Sequence, residues 1–244
     1  MLRPTLLCTL LAATFIPACA DEAQQADELA DETAQDGDAG KGDTVQAFTY
    51  FSVSPDIRAC SFNSRCGGFF VARPNRASTI CGRGSTASRC YVDSLDLTHT
   101  GMPASVQKSY QDRIRAGETF LLRGDIAPSA DDRNTSLAVT EIWVAGSKTG
   151  TLDGPFLFVK DNGLRCITAP CPTVTETRLN SNRSANIHAV DFSASGADQA
   201  TEDRAQNAVF NDGVIMVGYR YYPDALSRGR TANQFFTKAP VPLH

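Results

Sequence analysis

The chain has 244 residues, of which 42% are hydrophobic and 20% are charged, and its net charge is −4. Because the acidic residues concentrate near the N-terminus, residues 45–244 carry a net charge of +3. That excess is too small for a nucleic-acid-binding protein, which needs many contacts to phosphates. These 200 residues are enough for one substantial core or two small ones.

Residues 1–19 predict a signal peptide for export. Arg3 precedes an apolar run over 6–16 that is too short to span a bilayer. The run ends in Ile16-Pro17-Ala18-Cys19, which resembles a lipobox and predicts a lipid on Cys19. Since Ala20 follows, we expect an outer-membrane lipoprotein. Alternatively, cleavage after Ala20 would release a periplasmic or extracellular protein.

Residues 20–45 predict an acidic, disordered tether. The segment 21–44 has nine acidic residues, one lysine and no aromatic residue, so its local charge is −8 and it cannot form a core. Repulsion between like charges should keep the tether extended. We expect a solvating spacer between the membrane and the folded part.

The remaining residues predict a β-rich fold. Their apolar runs are short, rich in Phe, Val, Ile, Thr or Tyr, and bounded by Gly, Pro, Asn or Asp. Strands are predicted at 48–53, 69–73, 91–97, 120–126, 137–145, 156–159, 173–179, 187–192, 214–222 and 234–238. Helices are predicted at 103–116, where Val106, Tyr110 and Ile114 are spaced four apart, and at about 198–209.

An internal repeat organises these elements. The segment that begins at Phe51 aligns with the one that begins at Phe156. Three further pairs of segments also match, namely 66–75 with 171–180, 95–97 with 190–192, and 120–124 with 214–218. We therefore predict two tandem units, 46–150 and 151–244, packed as one globular domain with a short irregular C-terminal tail.

Each unit is expected to have about five short strands and one helix. The fold class is thus α+β and β-dominated, with units that are barrel-like or sandwich-like. The order of strands and helix resembles that of a barrel that binds oligonucleotides or oligosaccharides, a comparison that concerns topology alone.

The cysteines become interpretable through this repeat. Cys8 lies in the signal segment and Cys19 at its end, which leaves an even six in an oxidising compartment. Their positions in equivalent hairpins, and in an insertion of the first unit, predict the bonds Cys60–Cys66, Cys81–Cys90 and Cys166–Cys171. No spacing is Cys-x-x-Cys and no histidine is near, so we expect no metal site.

At these motifs the chain resembles an uncharacterised domain family of predicted secreted bacterial lipoproteins. The motifs that carry the resemblance are Tyr50-Phe51-Ser52-Val53, the Cys-Gly-Gly-Phe-Phe-Val segment 66–71 and the segment 161–172, which contains Arg-Cys-Ile-Thr-Ala-Pro-Cys. The resemblance covers about residues 47–220. It implies export and no particular activity, so no functional residue is transferred from the family.

The residues themselves predict no catalytic group and no cofactor. His99 follows Asp93 and Asp96, and His188 precedes Asp191, but no nucleophile motif, oxyanion loop or metal pair accompanies either histidine. A hydrolase is therefore a remote alternative. It would require a concave pocket that brings His99 or His188 together with carboxylates.

Binding is the favoured function. The loop from Cys166 to Cys171 is short, stiffened by proline and closed by the predicted disulfide, so its conformation should be fixed before any encounter. We predict a non-enzymatic binding or structural module, with Arg165, Thr168 and Pro170 as candidate contact residues. The expected partners are the membrane, through the lipid, and an envelope or extracellular protein or polysaccharide. A secreted protease inhibitor that uses the same loop is the alternative.

Overall fold

The described part of the chain contains fourteen β-strands and two α-helices, as given by a computed structural model of residues 49–59, 65–128, 135–224 and 227–241. The strands are β1 (Thr49–Pro55), β2 (Phe69–Ala72), β3 (Thr79–Ile80), β4 (Thr86–Ala87), β5 (Cys90–Val92), β6 (Ser94–Asp96), β7 (Phe120–Pro128), β8 (Thr135–Ala145), β9 (Phe156–Asp161), β10 (Val174–Arg178), β11 (Ser184–Ile187), β12 (Ala189–Asp191), β13 (Val214–Asp224) and β14 (Ser227–Lys238). The helices are α1 (Ala104–Arg115) and α2 (Gln199–Phe210).

Both helices lie close to their predicted positions, and local signals explain where they begin and end. Helix α1 begins directly after Pro103, which lacks an N–H group that the first turn could not satisfy in any case. It ends before Gly117, whose φ of 84° suits glycine. Helix α2 is capped by Asp198, whose carboxylate accepts the backbone N–H of Thr201 at 2.8 Å.

Twelve of the strands form one sheet, and β3 and β4 form a separate pair. The main path of the sheet runs β11-β10-β9-β13-β14-β8-β7-β1-β2-β5. Strands β6 and β12 leave this path to pair in parallel with β8 and β14. The β-dominated fold class predicted from the sequence is confirmed.

Two predicted strands are each split in two, and the cause is pairing with a distant strand. At Asp93, between β5 and β6, the backbone N–H donates to the carbonyl of Thr135, and the carboxylate accepts the N–H of Thr135. At His188, between β11 and β12, the backbone N–H donates to the carbonyl of Arg228, and ring atom Nδ1 accepts the N–H of Arg228. At each break the chain turns from one neighbouring strand to another.

The strand pairings have the same order in both halves of the sheet. Strand β1 pairs with β2 and β7, and β7 pairs with β8, while β9 pairs with β10 and β13, and β13 pairs with β14. The register shifts directly before Gly124 in β7 and before Gly218 in β13. A Cβ atom at Gly124 would collide with the carbonyl oxygen of Ala138, and one at Gly218 with that of Thr231.

Three clusters of buried side chains hold the fold together. One lies in the first half and includes Leu122 and Ile114 of α1, and another lies in the second half and includes Met216 and Val209 of α2. The third joins the halves, where β8 pairs with β14. Its fully buried side chains are Leu121, Trp143, Leu179, Ile215, Val217 and Phe236. Apolar burial thus continues across the boundary between the halves.

Two of the predicted disulfides, Cys81–Cys90 and Cys166–Cys171, are present. Cys66 is also disulfide-bonded. Because Cys60 lies outside the described residues, the Cys60–Cys66 pairing stays a prediction. Cys8 and Cys19 lie outside them as well, as do the predicted signal peptide and the predicted tether.

Candidate binding site

The predicted contact residues lie in the loop between β9 and β10. The disulfide Cys166–Cys171 closes this loop, with 5.6 Å between the two Cα atoms. All eight residues from 163 to 170 are exposed to solvent. We call this segment the disulfide loop. A closed loop has fewer conformations to lose when it binds, so it can present its side chains at low entropic cost.

Asn162 fixes the base of the disulfide loop. Its side-chain Nδ2 donates to the carbonyl of Pro172 at 2.8 Å, and its Oδ1 accepts the N–H of Leu164 at 2.9 Å. The backbone N–H of Asn162 donates to the carbonyl of Thr173 at 2.9 Å. The two ends of the loop are therefore held together by hydrogen bonds as well as by the disulfide.

Arg165 folds back onto the same base. Its two guanidinium nitrogens Nη1 and Nη2 each donate to an oxygen of Asp161 at 3.0 Å, and Nη1 also donates to the carbonyl of Leu164 at 2.7 Å. The hydrogen bonds from Arg165 hold the pKa of the Asp161 carboxyl below its ordinary value. A partner that needs the Arg165 guanidinium must compete with this bidentate pair.

Ile167 is the most prominent side chain of the disulfide loop. Ile167 is fully exposed, and the exposed fraction of Leu164 is 46%. Thr168 and Pro170 are exposed as well. Arg165, Thr168 and Pro170 were predicted from the sequence as contact residues, whereas Ile167 was not. A signal was present, because an aliphatic residue inside a disulfide-closed loop of six residues cannot reach a core.

The histidines lie elsewhere. His99 Nε2 lies 3.5 Å from an oxygen of Asp96, and both side chains are exposed. The ring atom Nδ1 of His188 accepts a hydrogen bond from the backbone N–H of Arg228. Neither histidine belongs to the disulfide loop, so the structure does not bring the candidate acid–base residues and the candidate contact residues together.

The described ranges hold neither a metal-binding cluster nor a membrane-spanning helix. In these ranges, no three His, Cys, Asp or Glu side chains are grouped so that they could hold a metal ion. None of the helices described here has the length and apolar character needed to cross a bilayer.

Comparison with known proteins identifies the family to which the chain belongs. No curated protein and no solved structure matches the chain. A family model described as a domain of unknown function, DUF6748, matches residues 49–240, which include all fourteen strands and both helices described above. The chain therefore belongs to the DUF6748 family.

Proposed function

We propose that this chain is an exported cell-envelope lipoprotein whose folded part is a non-enzymatic binding or structural module. The disulfide loop is its contact surface. One observation carries the proposal, namely that a run of eight exposed residues contains a disulfide-closed loop, 166–171, which presents a fully exposed Ile167. A rigid loop with an apolar tip suits insertion into a pocket of a partner.

Disulfides support the proposed export. Bonds such as Cys81–Cys90 and Cys166–Cys171 persist in oxidising compartments and are rare in the cytosol. In the proposal, residues 1–19 direct export, Cys19 carries the lipid, and residues 20–45 separate the module from the membrane. Mass spectrometry of the mature N-terminus tests this anchor, because a free amine on Asp21 would show simple secretion.

The same strand order in both halves supports a duplication. We propose that 46–150 and 151–244 are two copies of one barrel-like unit, with equivalent breaks at Asp93 and His188 and equivalent register shifts before Gly124 and Gly218. The third disulfide, Cys60–Cys66, then lies in the hairpin that corresponds to the disulfide loop. Peptide mapping under non-reducing conditions tests this pairing.

A matched pair of variants tests the contact surface. Ile57 is 91% exposed in the hairpin between β1 and β2, so Ile57→Ser is a control for Ile167→Ser. Retention of the full chain on immobilised envelope proteins, freed of polysaccharide, should fall with Ile167→Ser and stay unchanged with Ile57→Ser. Equal retention of both variants and the unmodified chain would exclude the disulfide loop as the contact surface.

A protease inhibitor is the second candidate, because an exposed loop closed by a disulfide can enter a protease cleft. Under this hypothesis, Ile167 or Thr168 occupies the specificity pocket of the protease. The ion pair between Arg165 and Asp161 supports the loop. The test is a panel of purified endoproteases. Inhibition should be lost with Ile167→Gly, Thr168→Ala or Arg165→Ala while the thermal unfolding temperature is kept. A chain that is cleaved in the loop and released as product would be a substrate instead.

A further inference from the structure

Arginines and aromatic rings alternate along one face of the β2–β5 strand pair. Phe70 of β2 lies directly opposite Tyr91 of β5, and their ring centroids are 5.7 Å apart in an edge-to-face contact. The guanidinium of Arg89 stacks over Phe70 at 4.4 Å, that of Arg58 lies 4.9 Å from Phe70 and 5.7 Å from Tyr91, and that of Arg65 lies 5.9 Å from Tyr91. We call these five residues the arginine row.

The arginine row is open to solvent at an edge of the sheet. Its three arginines are exposed, and β5 is the last strand on its side of the path. The guanidinium of Arg89, which is stacked on Phe70, keeps its N–H edge available for a carboxylate, phosphate or sulfate, whereas Arg58 and Arg65 already donate to Asp56 and Asp93. The row is therefore organised as an anion-binding surface, and the stacking limits the freedom that each arginine would lose on binding.

The charges of the row are only partly compensated. Asp56 pairs with Arg58 and Asp93 pairs with Arg65. Within the described ranges, Arg89 forms no ion pair and is stacked on the neutral ring of Phe70. One uncompensated arginine flanked by two ion-paired arginines suits a ligand with widely spaced negative charges. Nucleic acids, whose dense charge requires many cations, fit less well.

The fold does not require the arginine row. In the second half, the β10–β11 pair occupies the place beside β9 that the β2–β5 pair occupies beside β1. In the β10–β11 pair, Thr175 lies opposite Asn186, and their side chains form a hydrogen bond of 2.8 Å. The strand pair can thus be closed by two small polar residues. Five residues that are costly to order are present in the first half alone, which indicates a role besides folding.

A disulfide steadies the edge strand that carries the row. Cys90 stands between Arg89 and Tyr91 in the sequence, is buried, and is bonded to Cys81. An edge strand of three residues has few hydrogen bonds of its own. The bond to Cys81 therefore helps to hold Arg89 and Tyr91 in place.

We propose that the arginine row binds an acidic polysaccharide, a sugar polymer with carboxylate, phosphate or sulfate groups spaced along it. This site is separate from the disulfide loop, and its ligand class goes beyond the contact proposed there. The choice of a polysaccharide over an acidic protein rests on the proposed location in the cell envelope.

Binding of the full chain to defined polymers tests the proposal. Polygalacturonate supplies spaced carboxylates, dextran supplies uncharged sugars, and polyglutamate and single-stranded DNA supply other polyanions. The full chain should bind polygalacturonate at low salt and not dextran. Because the chain includes its acidic N-terminal segment, the measured affinity already contains any competition from it.

Three substitutions identify the surface. Arg89→Gln should weaken polygalacturonate binding about tenfold, as expected for the loss of one charge-assisted contact. Phe70→Thr, which installs the residue type found at Thr175, should weaken it several-fold. Arg204→Gln removes an exposed arginine of α2 and should leave binding unchanged. If Phe70→Thr fails to fold, Arg89→Gln decides.

Several results would overturn the proposal. They are equal losses with Arg89→Gln and Arg204→Gln, absence of binding to polygalacturonate, equal binding to dextran, and tighter binding to polyglutamate or to DNA. Ile167→Ser should bind polygalacturonate normally, so a failure of the disulfide loop as a contact surface would leave this result unaffected.

Discussion

Asn75 and Asn180 exchange hydrogen bonds between the two halves of the fold. Asn75 accepts the N–H of Phe156 and donates to its carbonyl at 2.9 and 2.7 Å, while Asn180 accepts the N–H of Tyr50 and donates to its carbonyl at 2.9 and 3.0 Å. Each asparagine thus binds the start of the first strand of the other half. Both have positive φ angles, 62° and 58°, which asparagine tolerates better than most residues.

Replacing either asparagine should destabilise the junction between the halves. Asn180→Ala removes a side chain that also donates to the carbonyl of Pro74 at 3.1 Å, and it places alanine at positive φ. We expect a loss of about 2 to 4 kcal/mol in the free energy of unfolding, from backbone groups left without partners. Asn180→Gly should lose about 1 kcal/mol less, because glycine accepts this φ. Urea unfolding measures both, and values near that of the unmodified chain would refute the role of this exchange.

A buried ion cluster distinguishes the second half from the first. Arg230 donates to both oxygens of Glu176, at 2.6 and 3.2 Å, and Arg220 donates to one of them at 2.9 Å. Burial by itself would raise the pKa of Glu176, but the hydrogen bonds and charges of Arg230 and Arg220 outweigh it and hold the pKa below its ordinary value.

The corresponding pairings in the first half bring apolar residues together. In the first half Val71 lies opposite Val53, where the second half has Glu176 opposite Val159. Likewise, Ile126 lies opposite Leu137, where the second half has Arg220 opposite Arg230. The sheet can therefore form in this order without the charges.

Single and triple substitutions should consequently act in opposite directions. Glu176→Gln leaves two arginines near a neutral amide and should cost about 3 to 5 kcal/mol of stability. The triple variant Glu176→Val, Arg220→Ile and Arg230→Leu should be neutral or should stabilise by about 1 to 4 kcal/mol. Denaturant unfolding compares them. A triple variant as unstable as Glu176→Gln would show that the charges are needed for stability.

The ion pair between Asp56 and Arg58 should make the folded state less stable in acid. Hydrogen bonds from Arg58 Nε and Nη2, both 2.8 Å, lower the pKa of Asp56 to about 2. Since the folded-state pKa is below the unfolded one, this stabilisation is complete above about pH 4 and is lost as the pH falls towards about 2. Several other carboxyls shift in the same direction, so the unmodified chain must be compared with Asp56→Asn.

The difference in urea midpoint between these two chains isolates the Asp56 contribution. It should be constant from about pH 7 to about pH 5 and shrink between about pH 4 and pH 2. A difference that persists unchanged at about pH 2 would mean that the charge of Asp56 does not contribute.

Much of the secondary structure was predictable, because it depends on local patterns. Val106, Tyr110 and Ile114 lie on one face of α1, as their spacing indicates, and Ile114 is fully buried. The positions of the cysteines in a hairpin and in an insertion of the first unit also predicted the disulfides Cys166–Cys171 and Cys81–Cys90.

Features that depend on distant parts of the chain escaped prediction. The breaks at Asp93 and His188 arise from pairing with Thr135 and Arg228, about 40 residues away. The alignment of Phe51 with Phe156 was offset by one residue, because the strand pairings place Phe51 opposite Leu122 and Leu157 opposite Met216. Apolar runs without a fixed register leave such an offset open.

The candidate sites were predictable only in part. The disulfide loop was found from its cysteines and prolines, but the pair between Arg165 and Asp161 depends on side-chain conformation. The arginine row joins Arg58 and Arg89, which are far apart in the sequence and meet only because β5 pairs with β2.

Photocrosslinking in living cells tests most directly whether the disulfide loop is the contact surface. A photoreactive amino acid would replace Ile167 in one variant and Ile57, which is also largely exposed, in another. After irradiation of cells that export the protein, we expect a discrete adduct from position 167 that is absent from position 57. Absence of an adduct at position 167, or the same adducts at both positions, would contradict the proposed function.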